Sequence, residues 1–171
     1  MEFSIGQSEH ENVVVDVLAY ERAAVGELYD DNWLRTQIRV AAGGFRGKVS
    51  AAILTVDLVR FAKELKPLVT NLSGTAEFST LEEQLSLRVS CDKTGHVTLL
   101  GNIADRPGIG NRLHFTLRLD QSELGRSIQQ LDAVIVKFPE RMQPNQLPDP
   151  TSPSVTRPAG AGHAPSVAAD H

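Results

Sequence analysis

A unit of two strands and one helix occurs twice in this sequence, and this repeat constrains the fold more than any other feature. Residues 34–70 have the pattern of a strand, a Gly-rich turn, a strand and a helix. Residues 95–138 have the same order, with a turn that contains Pro and Gly between the strands. In each strand apolar residues alternate with polar ones, which is typical of an antiparallel sheet covered on one side. Each helix carries one apolar stripe.

The sequence therefore predicts an α+β domain, with an antiparallel sheet of about six to seven strands and two helices packed on one face. Further strands are expected at 13–21, 75–79 and 84–91. Two local patterns mark the helix starts: Thr55 is a plausible N-cap for the first helix, and residues 120–123 have the spacing of a capping box for the second.

Two further local features bear on these elements. Pro67 is expected to end or bend the first helix, because proline lacks the N–H that an interior turn requires. Residues 80–83, Thr-Leu-Glu-Glu, also have capping-box spacing and predict a single helical turn before the next strand.

The chain of 171 residues is long enough for one domain with a substantial core. We divide it into a flexible lead-in at 1–12, a single α+β domain at 13–138 and a disordered tail at 139–171. The tail holds seven of the nine prolines and shows no periodicity, so it cannot bury enough apolar surface to offset its ordering entropy.

Charge is distributed unevenly along the chain. Residues 1–32 contain eight acidic residues and one basic residue, whereas residues 33–138 contain fourteen basic and ten acidic residues. There is one cysteine, Cys91, in an alternating strand where a buried thiol is expected. The acidic start does not have the pattern of a signal peptide, and no apolar run reaches the length of a membrane span, so we expect a cytoplasmic protein.

None of the motifs that carry catalytic chemistry is convincing here. The Gly-rich segment 43–48 lacks the spacing of a phosphate-binding loop and precedes a strand, so it predicts a hairpin turn. The segment 106–112 contains two glycines that could form an anion-binding nest, but a hairpin connection is the simpler interpretation. No histidine pair has metal-ligand spacing. We therefore predict no catalytic residue, no metal and no cofactor.

Two charged surfaces are candidates for binding a partner. One is acidic and comprises Glu27, Asp30 and Asp31. The other is the outward face of the sheet, where the alternation places the basic residues Arg35, Arg39, Arg46, Lys48, Arg88, Arg112 and Arg118, with His114 among them. The basic face has three interpretations: a solvated sheet face, a contact for an acidic partner, or a nucleic-acid surface. The last is the weakest, because aromatic stacking residues are missing from that face.

The body of the chain resembles the WapI-type immunity proteins, small bacterial proteins encoded beside polymorphic toxins. The resemblance rests on the segments DNWLRTQIRVAAGGFRGKV, GTAEFSTLEEQLSLRV and GHVTLLGNIADRPGIGNRLHFTLRLDQSELGRSIQQLD, which together cover about residues 30–138. It implies a protein that binds and neutralises a cognate toxin domain in the cytoplasm of the producing cell, without catalysis. It carries over no defined set of contact residues. The alternative is a nucleic-acid-associated module that uses the basic face.

Overall fold

The computed structural model describes residues 1–27 and 29–141, which form eight strands and two α-helices. The strands are β1 (Glu2–Ile5), β2 (Glu11–Tyr20), β3 (Trp33–Ala42), β4 (Phe45–Leu54), β5 (Gly74–Ser79), β6 (Leu85–Cys91), β7 (His96–Ala104) and β8 (Arg112–Asp120). The helices are α1 (Thr55–Asn71) and α2 (Gln121–Lys137).

The strands form two antiparallel sheets rather than one. Sheet A has the order β1-β2-β3-β4, and sheet B has the order β5-β6-β7-β8. The α+β class is confirmed, whereas the predicted single sheet of six to seven strands is wrong. Alternation shows which face of a strand is buried, but it cannot show whether strands on either side of a helix belong to the same sheet.

The strand-strand-helix repeat is present and belongs to a larger one. Each half of the domain is a meander of four strands followed by a helix, and the sequence repeat corresponds to the last two strands and the helix of each half. The first two strands of the halves differ in length, since β1 has four residues and β5 has six. This difference hides the full repeat in the sequence.

Each helix packs along the edge strand of the other half. Helix α1 packs beside β5 and helix α2 packs beside β1. The two helices also contact each other. The backbone N–H of Glu77 in β5 donates to Glu64 Oε2 of α1 at 2.7 Å. The N–H of Ser4 in β1 donates to Gln130 Oε1 of α2 at 3.0 Å. Both acceptors lie nine residues after the start of their helix, so the two halves protect their edge strands in the same way.

One hydrophobic core joins both sheets and both helices. Phe61 of α1 is fully buried and packs against Phe78 of β5, with ring centroids 5.3 Å apart. Phe115 of β8 belongs to the same core. The buried faces of the strands are those that the alternation predicts. The opposite face of each sheet points away from the core and is here called its outer face.

The N-terminal residues differ from the predicted flexible lead-in. Residues 2–5 form strand β1, which pairs with β2 and buries Phe3 and Ile5 in the core. A strand of four residues in an acidic and polar stretch leaves too few alternating positions to be recognised from the sequence.

The helix boundaries confirm one local prediction and correct others. The capping box at Asp120 is confirmed, because its side chain accepts from Ser122 N while Glu123 accepts from Asp120 N. Helix α1 includes Thr55 as its first residue instead of using it as an N-cap, and it continues through Pro67 to Asn71.

The residues before β6 form a β-turn instead of the predicted helical turn. The N–H of Glu83 donates to the carbonyl of Thr80 at 2.9 Å, and Glu83 itself has a φ of 52°. The left-handed conformation of a non-glycine residue at this position cannot be read from the Thr-Leu-Glu-Glu pattern.

Candidate partner-binding surfaces

The eight candidate partner-binding residues lie on three separate surfaces. They are Glu27, Asp30 and Asp31 in the β2–β3 loop, Arg35 and Arg39 on the outer face of sheet A, and Arg112, His114 and Arg118 on the outer face of sheet B. The predicted single basic face is therefore divided. Arg35, Arg39, Arg46 and Lys48 belong to sheet A, whereas Arg88, Arg112 and Arg118 belong to sheet B.

The β2–β3 loop, here called the acidic loop (residues 21–27 and 29–31), is organised around a buried carboxylate. The Asp31 side chain is only 4% exposed, which corrects the expectation that it faces solvent. It accepts hydrogen bonds from the backbone N–H groups of Val25, Gly26 and Glu27 at 2.7–3.1 Å. Burial alone raises the pKa of the Asp31 carboxyl, but these donors and Arg22 outweigh it and hold the pKa below its usual value.

Arg22 is the residue of the acidic loop that the sequence analysis did not single out. Its guanidinium contacts three carboxylates: Glu27 at 2.7 Å, Asp31 at 3.2 Å and Asp30 at 3.3 Å. The available signal was its position as the single base among the eight acids of residues 1–32. Glu27 and Asp30 remain 65% and 56% exposed, so they still present negative charge to solvent.

The segment that follows α2, here called the C-terminal strap (Pro139–Arg141), packs against the acidic loop. The Asn32 side chain pairs with the backbone of Arg141 through two hydrogen bonds of 2.7 and 2.9 Å. Arg141 Nη1 also donates to the carbonyls of Arg22 and Asp31. The first three residues of the predicted tail are thus part of the packed domain, and the rest of that tail, 142–171, lies outside the described residues.

Tyr20 connects the C-terminal strap to the sheet. The Arg141 guanidinium lies 3.4 Å from the centroid of the Tyr20 ring, and the ring packs edge-on against Phe138. The Tyr20 hydroxyl donates to the carbonyl of Pro139. Burial raises the pKa of this hydroxyl, and the nearby charge of Arg141 opposes the shift. Tyr20 thus positions Arg141, which in turn donates hydrogen bonds to the acidic loop.

Two apolar side chains project from the acidic loop. Val25 is 69% exposed and Tyr29 is 73% exposed. Exposed aromatic and aliphatic side chains of this kind, surrounded by charge, are typical of the central contacts of protein interfaces. The loop therefore combines a fixed backbone, apolar anchors and exposed carboxylates.

The basic residues on the outer face of sheet A are partly neutralised. Arg39 forms an ion pair with Glu2 at 2.7 Å, and the Arg46 guanidinium bonds backbone carbonyls of its own hairpin. Arg35 and Lys48 are exposed, and within the described chain neither has an ion-pair partner. A shallow depression of about 410 Å³ lies beside Arg39 and Lys48.

The outer face of sheet B contains a groove with a volume of about 800 Å³. It begins at Arg60 and Glu64 of α1 and crosses the sheet as far as His114 of β8. Ser86, Asn102 and His114 are register partners on successive strands and form a polar row across its floor. Leu100, half exposed, adds an apolar contact.

The two Gly-containing segments and Cys91 lie in two strand connections and in a buried strand position. The segment 43–44 is a hairpin turn between β3 and β4, as predicted. In the connection between β7 and β8, the Asp105 carboxylate accepts the backbone and side-chain N–H of Asn111 and closes the loop on itself. Cys91 is buried, and burial, together with nearby Asp92 and Asp120, raises the pKa of its thiol.

The described residues, 1–27 and 29–141, contain no cluster of three or more His, Cys, Asp and Glu side chains suited to a metal ion. Within the same ranges, no helix is long and apolar enough to span a lipid bilayer.

Comparisons with known proteins give a family and a likeness to solved structures. The sequence matches the profile of the immunity protein WapI-like family over residues 4–139. No curated protein sequence matches the chain significantly. A chain from the crystal structures of trypanosoma bruciei MRP1/MRP2 superposes with a TM-score of 0.44 at 15% identity, covering 81% of this chain and 86% of that one.

Proposed function

The chain belongs to the immunity protein WapI-like family, and on that premise we propose that it binds a cognate bacterial toxin domain and neutralises it through the acidic loop. It acts by forming a stoichiometric complex in the cytoplasm of the producing cell, without catalysis. The observation that carries this proposal is the buried Asp31 carboxylate, which holds the backbone of an exposed, charged loop in one conformation.

A loop that is already ordered loses little conformational entropy when it binds, so its contacts contribute more fully to affinity. Three backbone N–H groups are fixed by Asp31, and the C-terminal strap supports the loop through the hydrogen bonds of Arg141 to the carbonyls of Arg22 and Asp31. Tyr29 and Val25 supply the apolar contacts, and Glu27 and Asp30 supply the charge around them.

The charge of the loop indicates what kind of toxin it fits. Toxin domains that act on nucleic acid need basic surfaces to hold the phosphate backbone. Exposed carboxylates can occupy the positions of phosphates on such a surface and raise the association rate. Glu27 and Asp30 therefore favour a basic toxin domain, with its nucleic-acid-binding surface as the contact.

The proposal is tested with the toxin domain encoded beside the gene of this protein. The variant Glu27→Lys with Asp30→Lys should reduce the association rate at least about tenfold at low salt and abolish protection of cells that express the toxin. Tyr29→Ala should weaken the complex by about 2 kcal/mol, mainly through faster dissociation. Surface plasmon resonance measures both rates.

The matched control reverses two charges on sheet A, Arg35→Glu with Lys48→Glu, because both side chains are exposed and unpaired among the described residues. This control should keep the affinity and the protection of the wild type. The milder variant Glu27→Gln with Asp30→Asn separates loss of charge from distortion of the loop. Unchanged binding in both acidic-loop variants would refute the proposal.

A further inference from the structure

We propose that the outer face of sheet B is a second binding surface, which takes an extended acidic segment of a protein partner across its groove. This surface consists of Arg60, Arg88, Leu100, Asn102, Arg112, His114 and Arg118. It shares no residue with the acidic loop, so the inference goes beyond the proposed function.

The shape of the groove suits an extended chain. Ser79, Ser86, Asn102 and His114 are register partners across β5, β6, β7 and β8, so the polar row traverses the whole sheet. With strands about 4.8 Å apart, this row is roughly 14 Å long, which is the length of about four residues of extended peptide. The groove volume of about 800 Å³ accommodates such a segment with its side chains.

Asn102 supplies the strongest chemical indication. Its Oδ1 atom is buried at the floor of the groove and has no hydrogen-bond partner within the described residues. A buried acceptor without a partner destabilises the free protein, so such atoms are rare unless a ligand or water satisfies them. Rotation of the Asn102 side chain towards the groove would bring this acceptor within reach of the backbone N–H donors of a peptide that lies across the row.

The charges on β8 define the chemistry of the partner. Arg112 and Arg118 are exposed on the outer face, and in the described part of the chain neither forms an ion pair. They are six residues apart on one strand, about 20 Å, with His114 between them. Arg88, by contrast, is paired with Glu77 at 3.6 Å. Unpaired guanidinium groups bind carboxylates through charge-assisted hydrogen bonds, so the segment carries Asp or Glu over β8.

Three observations favour a protein over a nucleic acid. The outward positions of β5–β8 contain no Phe, Tyr or Trp, the large rings on which bases stack most strongly. Glu64 and Glu77 line the end of the groove next to α1, where they repel a continuous phosphate backbone. The apolar Leu100 and the acceptor Asn102 at the centre match a peptide, which offers both side chains and N–H donors.

The test measures binding of a fluorescein-labelled peptide of about ten residues, with three Glu residues grouped at one end and Leu or Thr at the other positions, to the full chain. Fluorescence anisotropy at low salt should give a Kd below roughly 100 µM. Arg112→Glu with Arg118→Glu should weaken binding at least about tenfold, and Asn102→Ala about fivefold. The control Arg35→Glu with Lys48→Glu, of equal charge change on sheet A, should bind as the wild type. Circular dichroism confirms that each variant is folded.

Three outcomes would overturn the inference: no binding of the acidic peptide, equal binding of the same peptide with Lys in place of Glu, or equal loss in the sheet A control. Tighter binding of single-stranded oligothymidylate of about 20 nucleotides, lost in the Arg112 and Arg118 variant, would identify a nucleic-acid surface instead.

The toxin assay separates this inference from the proposed function. The Arg112 and Arg118 variant should still protect cells from the toxin, whereas the Glu27 and Asp30 variant should still bind the acidic peptide. The opposite result would be loss of toxin binding in the sheet B variant and normal toxin binding in the acidic-loop variant. It would place the toxin contact on sheet B and overturn both assignments.

Discussion

Asp30 and Asp31 are neighbours in the chain, but one presents charge to solvent and the other stabilises the loop backbone. Asp30 and Asp31 are adjacent and equally acidic, yet Asp30 is exposed beside Arg22, whereas Asp31 is buried and binds three backbone N–H groups. Sequence reasoning grouped both as surface charge, because the turn of the backbone that separates them is a tertiary property. The exposed residue presents charge to a partner, and the buried residue maintains the loop that carries it.

The lowered pKa of Asp31 predicts a pH-dependent stability. Its pKa in the folded state lies below that of an exposed Asp, about 3.9, so its stabilising effect is present above that pH and is lost as the pH falls through the lowered pKa. Asp31→Asn should therefore be less stable than the wild type at about pH 7, and the difference should shrink at about pH 3.

Urea unfolding at the two pH values measures this difference. Asp30→Asn is the matched control, because this neighbour is exposed and contacts Arg22 alone among the charged groups of the loop. The control should differ little from the wild type at either pH. A constant deficit of Asp31→Asn across the pH range would show that shape, and not ionisation, determines the effect.

Gly101 and Gly125 predict opposite effects of the same substitution. Gly101 of β7 is the register partner of Phe115, and the Phe115 ring packs directly on the Gly101 backbone. A Cβ atom at Gly101 would therefore clash with this ring. Gly101→Ala should therefore displace Phe115 and cost about 1–3 kcal/mol. Gly125→Ala, inside α2 with open space at its Cβ, should stabilise the protein by about 0.5–1 kcal/mol. Thermal unfolding of the two variants should shift in opposite directions.

At the scale of elements, the C-terminal strap defines where the folded domain ends. The loss of periodicity after Phe138 placed the boundary there, but Pro139–Arg141 form hydrogen bonds with Tyr20, Asn32 and the acidic loop. A strap that relies on polar contacts and one cation–π contact has no hydrophobic periodicity, so the sequence carries no signal for it.

Two truncations locate this boundary. A chain that ends at Arg141 should unfold at the temperature of the full chain. A chain that ends at Phe138 loses the bonds of Arg141 and the acceptor of Tyr20, which should cost about 2 kcal/mol and lower the melting temperature by roughly 5 °C or more. Equal melting temperatures for the two truncations would show that the strap contributes nothing measurable.

Local patterns predicted the elements far better than their assembly. The alternation identified the buried faces of β3, β4 and β8, and the capping box identified the start of α2. The short strand β1 and the passage of α1 through Pro67 were not predicted, because both depend on packing against the rest of the domain. The site residues were chosen by charge, which located all of them except the buried Asp31 on the surface, without showing which surfaces they share.

At the scale of the whole molecule, the exchange of helices makes the two halves interdependent. Helix α1 completes the edge of sheet B and helix α2 completes the edge of sheet A, through Glu64 and Gln130 respectively. The sequence repeat suggested two similar units on one sheet, whereas the structure links two sheets through their helices. Surfaces on either sheet therefore depend on the stability of both halves, including the acidic loop on one half and the groove on the other.

This interdependence predicts that damage in one half is transmitted to the other. Phe61 belongs to α1 of the first half, but it packs against Phe78 of the second half within the common core. Phe61→Ala should cost about 3–5 kcal/mol, and hydrogen exchange measured by mass spectrometry should show lost protection in β5–β8 as well as in β1–β4. Phe45→Ala is the matched control, since Phe45 is 67% exposed and its truncation should cost less than about 0.5 kcal/mol. Loss of protection confined to β1–β4 and α1 would show that the halves unfold independently, and the domain would then consist of two units that only touch.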